Sequence, residues 1–364
     1  MTRDDTEVVL CVNGGSSSVK CAVIRVGVAE EQLAASSVDG ADALDAALEQ
    51  LGPARDEATA IGHRFVHGGP RHDRPTLVDD RLLTDLQAAV PFAPLHLPAA
   101  IAAVETLAAR CPGLPQVVCF DTTFHRTMPE SAWRLPIPDA LTDAGIRRYG
   151  FHGLSYEYLV ATIGADALGR AVLAHLGSGA SLCAVRDGRS VHTTMGLTPT
   201  GGIVMSSRSG DLDPGVLIFL ARELGYDPDH LERLVEHEAG LVALSGDSAD
   251  MRTLLGRRAA GDKRAVLAVD VFATTVRMQI GAYAALLGGV DTVVFTGGIG
   301  ASAAPVRAEV CAGLEGLGVR VDDARNAVDA PVISSDEATV TTRVLETDEA
   351  LMVARHTRSV LSGS

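Results

Sequence analysis

The same strand–loop–strand pattern occurs twice in this chain, and this repetition constrains the fold more than any other feature. Residues 9–24 read VLCVNGGSSSVKCAVI, and residues 173–188 read LAHLGSGASLCAVRDG. In each segment two apolar, strand-like runs enclose a short loop of glycine and small polar residues, and the second run contains Cys-Ala-Val. A single hairpin of this kind would be an ordinary turn. Two of them predict a duplicated α/β unit in which one loop from each half faces the same ligand.

Further apolar runs predict alternating strands and helices. Strand-like runs lie at 60–66, 116–120 and 291–296 in addition to the four runs of the two hairpins. Helix-like runs lie at 98–110, 214–224, 263–287 and 347–361, and the last begins with the helix-start signal Thr-Asp-Glu. This alternation indicates an α/β architecture with mixed sheets.

Length and composition narrow the class of protein. A chain of 364 residues favours two domains over one core. The net charge of −15 argues against nucleic acid as a main partner, because a phosphate backbone needs a basic surface. No run of about 18 apolar residues predicts a membrane span, and the N-terminus lacks the apolar core of a signal peptide. The six cysteines form no C-x-x-C pair, so we expect buried, reduced thiols and a cytoplasmic location.

Three glycine-rich loops, at 13–20, 177–182 and 297–300, could bind phosphate. Glycine permits positive φ angles, so successive N–H groups can point into one concavity that binds an anion. In the loop 13–20 the serine hydroxyls add donors and Lys20 adds a positive charge; the alternative is a tight hairpin without a ligand. GGIG (297–300) follows a strand and precedes a predicted helix at 303–317, so it is either a nucleotide contact or a plain βα turn. The loops match neither a Walker P-loop nor G-x-G-x-x-G.

Several charged residues and histidines are candidates for an active site. Arg64 lies near a strand end and Arg208 lies in a loop of small residues, where each could grip a carboxylate or phosphate or form a surface salt bridge. Asp121 directly follows an apolar strand, the place where open α/β sheets present catalytic groups, although a helix cap would explain it too.

The histidines include His96, His152 and His175. They lack zinc-ligand spacing, and each is either a hydrogen-bonded core residue or a phosphoryl ligand. The absence of G-x-S-x-G argues against a serine hydrolase.

Together these segments resemble one known family. The matching stretches run in order along the chain: NGGSSSVK (13–20), GHRFVHGG (62–69), APLHLPA (93–99), FDTTFHRTMP (120–129), RRYGFHGLS (147–155), HLGSGASL (175–182), TTMGLTPTGGIVMSSRSGDLDP (193–214), FTGGIG (295–300) and TDEALMVAR (347–355). Any one of them would be weak, but together and in order they are specific. On these motifs the chain resembles the acetokinase family of the actin/hexokinase/Hsp70-like superfamily.

The resemblance implies the fold and the reaction. It implies α/β architecture with two duplicated ribonuclease-H-like domains, each with a mixed five-stranded sheet, and an active site in the cleft between them. The implied domains are residues 1–125 completed by the C-terminal helix 351–364, and residues 126–350. The implied reaction is a reversible, direct in-line phosphoryl transfer between ATP and acetate that gives acetyl phosphate and ADP with Mg²⁺. The resemblance also implies a homodimer.

The resemblance assigns roles position by position. Asn13 and Glu349 match the magnesium-organising pair, Asp121 the essential aspartate, and Arg64 the carboxylate-binding arginine. Arg208 and His152 match the residues that stabilise the transferred phosphoryl group. The implied acyl pocket consists of Val66, Leu95, His96, Phe151 and Pro199. The implied ATP contacts are Ser16, Ser18, Lys20, His175, Leu176, Gly177, Ser178, Gly179, Asp250, Met251, Arg252, Gly298, Ile299, Gly300, Ala301 and Ser302.

The sequence departs from the family pattern at four places. Ser178 replaces an asparagine in the phosphate loop, and Tyr156 replaces the second histidine of an H-G-T-S-H motif. Ala301 and Ser302 replace Glu-Asn after GIG, and the segment before GHRFVHGG is shorter than usual. These departures concern nucleotide affinity, turnover and acyl preference. Two alternatives therefore stay open: a propionate kinase, and an ATP-binding regulator that has lost catalysis.

Overall fold

The computed structural model describes residues 6–14, 18–40 and 42–363. The first part of the chain forms a six-stranded sheet. The elements in chain order are β1 (Glu7–Gly14), β2 (Ser18–Val26), β3 (Glu31–Asp39), α1 (Ala43–Gln50), β4 (Ala60–Phe65), β5 (Thr76–Leu77), α2 (Asp80–Ala88), α3 (Leu97–Arg110) and β6 (Gln116–Phe120). The strand order is β3-β2-β1-β4-β6-β5. Strands β1, β2 and β3 form antiparallel pairs, whereas β4 and β6 extend the sheet from β1 in parallel.

Four short helices lead to a second, five-stranded sheet. They are α4 (Glu130–Trp133), α5 (Asp139–Asp143), α6 (Gly153–Ile163) and α7 (Ala165–Leu168). The elements that follow are β7 (Ala171–Leu176), β8 (Ala180–Arg186), β9 (Arg189–Thr193), α8 (Pro214–Glu223), α9 (Pro228–Arg233), α10 (Gly240–Ser245), α11 (Met251–Ala259), α12 (Lys263–Leu287), β10 (Thr292–Thr296), α13 (Gly297–Ser302), α14 (Ala304–Cys311), α15 (Asp323–Ala327), β11 (Thr341–Val344) and α16 (Glu349–Ser362). The strand order is β11-β10-β7-β8-β9.

The two sheets repeat one topology. In both, three antiparallel strands are followed by two parallel strands that extend the sheet from the first strand. Strands β1, β2, β3, β4 and β6 thus correspond to β7, β8, β9, β10 and β11. The duplication predicted from the two hairpins is confirmed. The first sheet differs from the expected five strands, because the two-residue strand β5 adds a sixth, antiparallel to β6.

All the strand-like runs recognised in the sequence form strands, and the main helix-like runs form helices. One helix prediction was wrong in its bounds. The glycines after β10 do not form a turn before a helix at 303–317, because α13 begins at Gly297 itself. The chain then changes direction at Ala303 and continues as the shorter helix α14. Gly297 has a φ of +75°, and a Cβ there would lie 2.7 Å from the carbonyl oxygen of Leu176. A larger residue would push α13 away from β7.

The C-terminal helix α16 packs on the first sheet, which is formed by the N-terminal part of the chain. Its residues Met352, Val353 and Ala354 are buried against β1, β2 and β6. Gly62 in β4 permits this contact, since a Cβ there would lie 2.5 Å from side-chain atoms of both Val353 and Thr357. Two of the buried cysteines, Cys11 and Cys119, belong to this core, and burial raises the pKa of both thiols. The packing places the first residue of α16 beside the ends of the central strands.

The 25-residue helix α12 crosses the core of the second half. By length and composition alone it is long and apolar enough to span a membrane. One face, which includes Val269, Phe272 and Ile280, is buried among the side chains of the second sheet. Its apolar composition is therefore explained by the core that it helps to form.

Candidate active site

A cavity of about 1420 Å³ lies between the two halves of the chain and is lined by both. The first hairpin contributes Asn13 and Lys20, and the end of β4 contributes Arg64. The second hairpin contributes His175 and the turn 177–179. The two hairpins therefore face one cavity, as their repetition in the sequence predicted.

Arg64 joins three polar side chains at the carboxyl ends of the central strands of the first sheet. Its guanidinium donates to the two carboxylate oxygens of Asp121 at 3.0 and 2.5 Å and to the Asn13 side-chain oxygen at 3.0 Å. Its Nε lies 3.3 Å from a carboxylate oxygen of Glu349. Asn13 and Arg64 lie near the ends of neighbouring parallel strands, and Asp121 follows the next strand, so the topology brings them together. Arg64 is thus not in a surface salt bridge, and the carboxylate of Asp121 binds Arg64 rather than capping a helix.

The burial of these groups shapes their ionisation. Burial raises the pKa of Asp121 to about 6, although the neighbouring Arg64 charge opposes that rise. Burial by itself would lower the pKa of Arg64, but the negative charges of Asp121 and Glu349 outweigh it and the pKa is raised. Arg64 therefore remains a fixed positive charge at the floor of the cavity.

Arg208 is held by a partner that the sequence did not reveal. Its Nε forms a 3.0 Å ion pair with Glu236, and its Nη1 donates to the carbonyl oxygen of Pro199 at 3.3 Å. Glu236 also accepts a hydrogen bond from the Thr200 hydroxyl. Both ends of the ion pair are largely buried, with 21% and 12% of their side chains exposed. Two contacts thus fix the direction of the guanidinium.

The missing side chain of Gly179 leaves a space between Arg208 and His152. A Cβ on Gly179 would lie 3.4 Å from Arg208 Nη1 and 3.4 Å from His152 Nε2. Two nitrogen groups from different parts of the chain therefore converge on one point beside the glycine turn of the second hairpin. Such convergence suits an anion with several oxygens.

His152 adopts an uncommon backbone conformation at the start of α6. Its φ of 57° lies in the left-handed region, and the following Gly153 donates its N–H to the Asp121 carbonyl oxygen at 2.9 Å. A Cβ on Gly153 would lie 2.1 Å from that same oxygen, so only glycine fits there. The His152 ring stacks on the ring of His175 with their centroids 4.1 Å apart. His175 in turn hydrogen-bonds the Ser155 hydroxyl through Nδ1 at 2.8 Å.

The predicted acyl-pocket residues are buried or half-buried, and none of them is among the described residues that line the cavity. Phe151 and Pro199 are buried, and Val66 packs against the core that contains Phe151. Leu95 and His96 are half-buried in the segment that leads into α3. Burial, followed by the charges of Arg208 and Arg64, lowers the pKa of His96 to about 4, so a neutral imidazole lies beside the two arginines.

The predicted nucleotide residues divide into two groups. Gly177, Ser178, Gly179, Asp250, Met251, Arg252, Gly298, Ile299 and Ser302 line the cavity together with Lys20 and His175. Leu176, Gly300 and Ala301 do not line it: Leu176 is in the core, and Gly300 and Ala301 are buried in α13. Asp250 caps α11, because its carboxylate accepts the N–H of Thr253 at 2.7 Å. Ser16 and the side chain of Ser18 lie outside the described residues.

A fully buried arginine anchors the glycine helix α13. Arg307 donates to the carbonyl oxygens of Gly300 and Ala301 at 3.0 and 2.8 Å. It also binds Asn326 and the carboxylate of Asp329. These contacts hold the C-terminal end of α13 and keep its glycines at the cavity wall. No motif marked Arg307 or Glu236 in the sequence, because their roles depend on partners that only folding brings near.

The charge of Glu236 is expected to matter for turnover. We expect Glu236→Gln to lower kcat roughly tenfold or more, since Arg208 then loses a charged partner and samples other directions. Glu238→Gln is the matched control, because Glu238 lies in the same segment but is exposed and pairs with Arg233. Steady-state kinetics of both variants would test this expectation. Equal kcat values for the two variants would contradict it.

The duplicated fold and the glycine-lined cleft fit a kinase, and the relatives of the chain show that it is one. The acetokinase family model matches residues 36–355. An acetate kinase of Streptomyces avermitilis is 45% identical to the chain, over 96% of this chain and 89% of that protein. Among solved structures, a propionate kinase from Francisella tularensis is 32% identical with a TM-score of 0.87, covering 97% of this chain and 99% of that one. The Porphyromonas gingivalis acetate kinase is 33% identical with a TM-score of 0.85, covering 98% of this chain and 100% of that one. The chain belongs to the acetokinase family.

Proposed function

We propose that this enzyme transfers the γ-phosphoryl group of ATP to acetate and forms acetyl phosphate and ADP, in a reversible reaction. The observation that supports this most strongly is the space beside Gly179, where Arg208 Nη1 and His152 Nε2 converge. Arg64 reaches the same cavity and is the cation nearest to the buried Asp121. Family membership supports the same reaction.

In the proposed reaction a carboxylate oxygen of acetate attacks the γ-phosphorus in line with the leaving ADP. The new bond joins that oxygen to phosphorus, and the bond between phosphorus and the β–γ bridging oxygen breaks, so its electrons leave with ADP. No proton transfer is required. The protein therefore has to position two anions and neutralise their charge. Arg64 would bind the acetate carboxylate, while Arg208 and His152 would bind oxygens of the transferred phosphoryl group.

The side chains at the sheet edge also fit a magnesium ion. Mg²⁺ prefers oxygen ligands and keeps several waters, so it is usually bound by one or two carboxylates together with substrate phosphates. Asn13 and Glu349 both bring oxygens to the Arg64 guanidinium, which puts hard donors close together. Within the described residues no group of three or more acidic, histidine or cysteine side chains could hold a metal. We therefore propose that Asn13 and Glu349 organise an ion brought with ATP, which would supply positive charge to the phosphates.

The opposite end of the cavity would hold the nucleotide. Lys20 and the turn 177–179 would contact the phosphates, and the wall formed by 250–252 and the glycines of α13 would contact adenosine. Ser178 can still donate a hydrogen bond, although it is shorter than the asparagine of the family motif. On the resemblance alone, we propose that Ser16 and Ser18 also contact the phosphates of ATP.

Turnover with three acids tests the proposed function. Mg²⁺-ATP would be incubated with acetate, propionate or butyrate at equal concentrations, and acyl phosphate would be trapped as hydroxamate. We expect the largest product formation with acetate, and none after chelation of Mg²⁺ or with Arg64→Ala. No product with any acid, from folded protein that still binds ATP, would contradict the proposal and favour an ATP-binding regulator.

Propionate is the second candidate substrate. The solved propionate kinase of Francisella tularensis resembles this chain as closely as the solved acetate kinase does. One methylene contributes only about 1–3 kcal/mol of discrimination in an apolar pocket. A higher kcat/KM for propionate than for acetate in the same assay would favour this candidate.

We also propose a homodimer in the cytoplasm, with domains at 1–125 plus 351–364 and at 126–350. The helix α8 supports the dimer, because it has no buried residue and its Val216, Ile218 and Phe219 side chains are 42%, 51% and 57% exposed. An apolar surface of this kind is typical of protein interfaces. Five of the six cysteines are buried and all six are free thiols, which fits a reducing compartment. Sedimentation of the purified protein would report the oligomeric state.

A further inference from the structure

We propose that Tyr156 and Ser181 hold neutral His152 in the tautomer that carries its proton on Nε2, so that this nitrogen donates to the phosphoryl group in transfer. Tyr156 and Ser181 would then be positioning residues that act through His152. The proposal deepens the proposed function and rests on it for the identity of the bound anion. Its structural part, the tautomer, can be tested without any turnover.

Three side chains form a continuous hydrogen-bonded chain from the core to the cavity. The Tyr156 hydroxyl lies 2.5 Å from Ser181 Oγ, and Ser181 Oγ lies 2.8 Å from His152 Nδ1. Tyr156 and Ser181 are both completely buried. Tyr156 belongs to the apolar cluster beneath α6, so its ring is held on all sides. The other ring nitrogen of His152, Nε2, faces the space beside Gly179.

The direction of the hydrogen bonds follows from the partners of the phenol, which are the Ser181 hydroxyl and the His175 backbone. Burial raises the pKa of Tyr156 well above its ordinary value, so the phenol keeps its proton. A buried O–H that donates to nothing is costly, and Ser181 Oγ is the hydrogen-bonding side chain that it meets. Ser181 therefore accepts from Tyr156 and has its own proton left for His152 Nδ1. That nitrogen can accept only when the imidazole proton is on Nε2.

The surroundings of His152 keep the ring neutral. Burial lowers its pKa well below the ordinary value, and the nearby His175, Arg64, Arg208 and His125 lower it further. A neutral ring has one N–H, and the hydrogen-bonded chain directs it into the cavity. In the other tautomer Nε2 would present a lone pair to an anionic phosphoryl oxygen, which would repel it. The tautomer thus decides whether His152 attracts or repels the group in transfer.

Tyr156 is a feature of this chain rather than of the family motif, which has histidine at that position. A histidine donates or accepts according to its own tautomer, whereas a buried phenol has one proton to donate. The substitution therefore gives the chain of hydrogen bonds a fixed direction.

The first experiment measures the tautomer directly. Nitrogen-15 NMR of histidine-labelled protein distinguishes a protonated from an unprotonated ring nitrogen, and His152→Gln assigns the signals. We expect His152 to carry its proton on Nε2 in the wild type. In Tyr156→Phe the Ser181 hydroxyl no longer receives a proton, and we expect a shift toward the Nδ1-protonated form. Protonation of Nδ1 in the wild type would overturn the proposal, whether or not the enzyme turns over acetate.

The second experiment measures kinetics. We expect Tyr156→Phe to lower kcat roughly tenfold while the KM values for ATP and acetate change little, because the effect is on the transferred group. Tyr158→Phe is the matched control on the same helix and should leave kcat unchanged. Ser181→Ala should lower kcat at least as much as Tyr156→Phe, and the double variant should add little to it. Unchanged kcat in both single variants, with the tautomer also unchanged, would overturn the proposal.

Discussion

Replacement of Arg208 by alanine is expected to lower kcat at least a hundredfold while the protein remains folded. Arg208 points into the space beside Gly179, where the transferred phosphoryl group would develop charge over its oxygens. Loss of one preorganised donor at such a site typically costs about 10²–10³ in rate, and loss of an arginine finger about 10³–10⁵. The KM for acetate should change much less, because Arg64 rather than Arg208 would bind the carboxylate.

Stopped assays of acyl phosphate together with thermal unfolding would check this expectation. Arg74→Ala is a suitable control, because 77% of the Arg74 side chain is exposed and it pairs with the neighbouring, exposed Asp73. A folded Arg208→Ala protein with nearly normal kcat would contradict the assignment. The combination with Glu236→Gln is informative too. If Glu236 acts only by holding Arg208, its substitution should have little further effect in the alanine background.

The free energy of unfolding is expected to fall steeply as the pH drops below about 6.5, the ordinary pKa of histidine. Burial lowers the pKa of His63, His67 and His125 to about 4. All three side chains are at most 2% exposed. Between pH 6.5 and 4 these histidines are protonated in the unfolded chain and neutral in the native protein. The unfolded state therefore binds more protons, so stability is fully present above pH 6.5 and is lost as the pH falls.

The expected size of this effect is large. Each buried histidine removes about 1.4 kcal/mol per pH unit, so the three together remove about 6 kcal/mol between pH 6.5 and pH 5. That amount is comparable with the whole stability of many proteins, about 5–15 kcal/mol. Urea unfolding at pH 7.5, 6.0 and 5.0 would measure it. His63→Gln should reduce the slope of the free energy of unfolding against pH by the contribution of about one proton. Replacement of the exposed His237 by glutamine should leave that slope unchanged. A free energy of unfolding that is equal at pH 7.5 and 5.0 would contradict the prediction.

The sequence identified the strands in the middle of each sheet and missed those at the edges. The runs recognised as strands became β1, β2, β4, β6, β7, β8 and β10, all of which have a neighbour on both sides. The missed strands, β3, β5, β9 and β11, are the four edge strands. A central strand is covered on both faces and needs a continuous apolar run. An edge strand such as β3 (EQLAASSVD) is half-exposed and reads as a polar loop.

For the site, sequence motifs indicated which residues to examine but not what holds them. The motifs pointed to Arg64, Asp121, His152 and Arg208. In the structure Arg64 and His152 line the cavity, Asp121 binds Arg64 behind it, and Arg208 lies beside Gly179 of the cavity wall. The partners of Arg208 and His152 were not foreseen. Glu236 lies in a segment without a distinctive local pattern, and Ser181 lies in the motif 175–182, which does not show that its hydroxyl meets His152. The motif at 297–302 predicts one continuous nucleotide contact, but the segment is helical, and in a helix only residues three or four positions apart share a face. Gly298 and Ser302 therefore face the cavity while Ala301 packs inward.

The sequence by itself determined the duplicated architecture, the central strands and the main helices, because these depend on local periodicity and on the order of segments along the chain. It also determined membership of the family through the ordered motifs. Only the tertiary structure decided which side chains meet. The ion pair of Arg208 with Glu236 and the hydrogen-bonded chain from Tyr156 to His152 join residues from different elements. So does the position of Glu349 beside Arg64, where α16 returns to the first sheet. Contacts of this kind depend on the packing of whole helices and sheets, and that packing leaves no short-range pattern in a sequence.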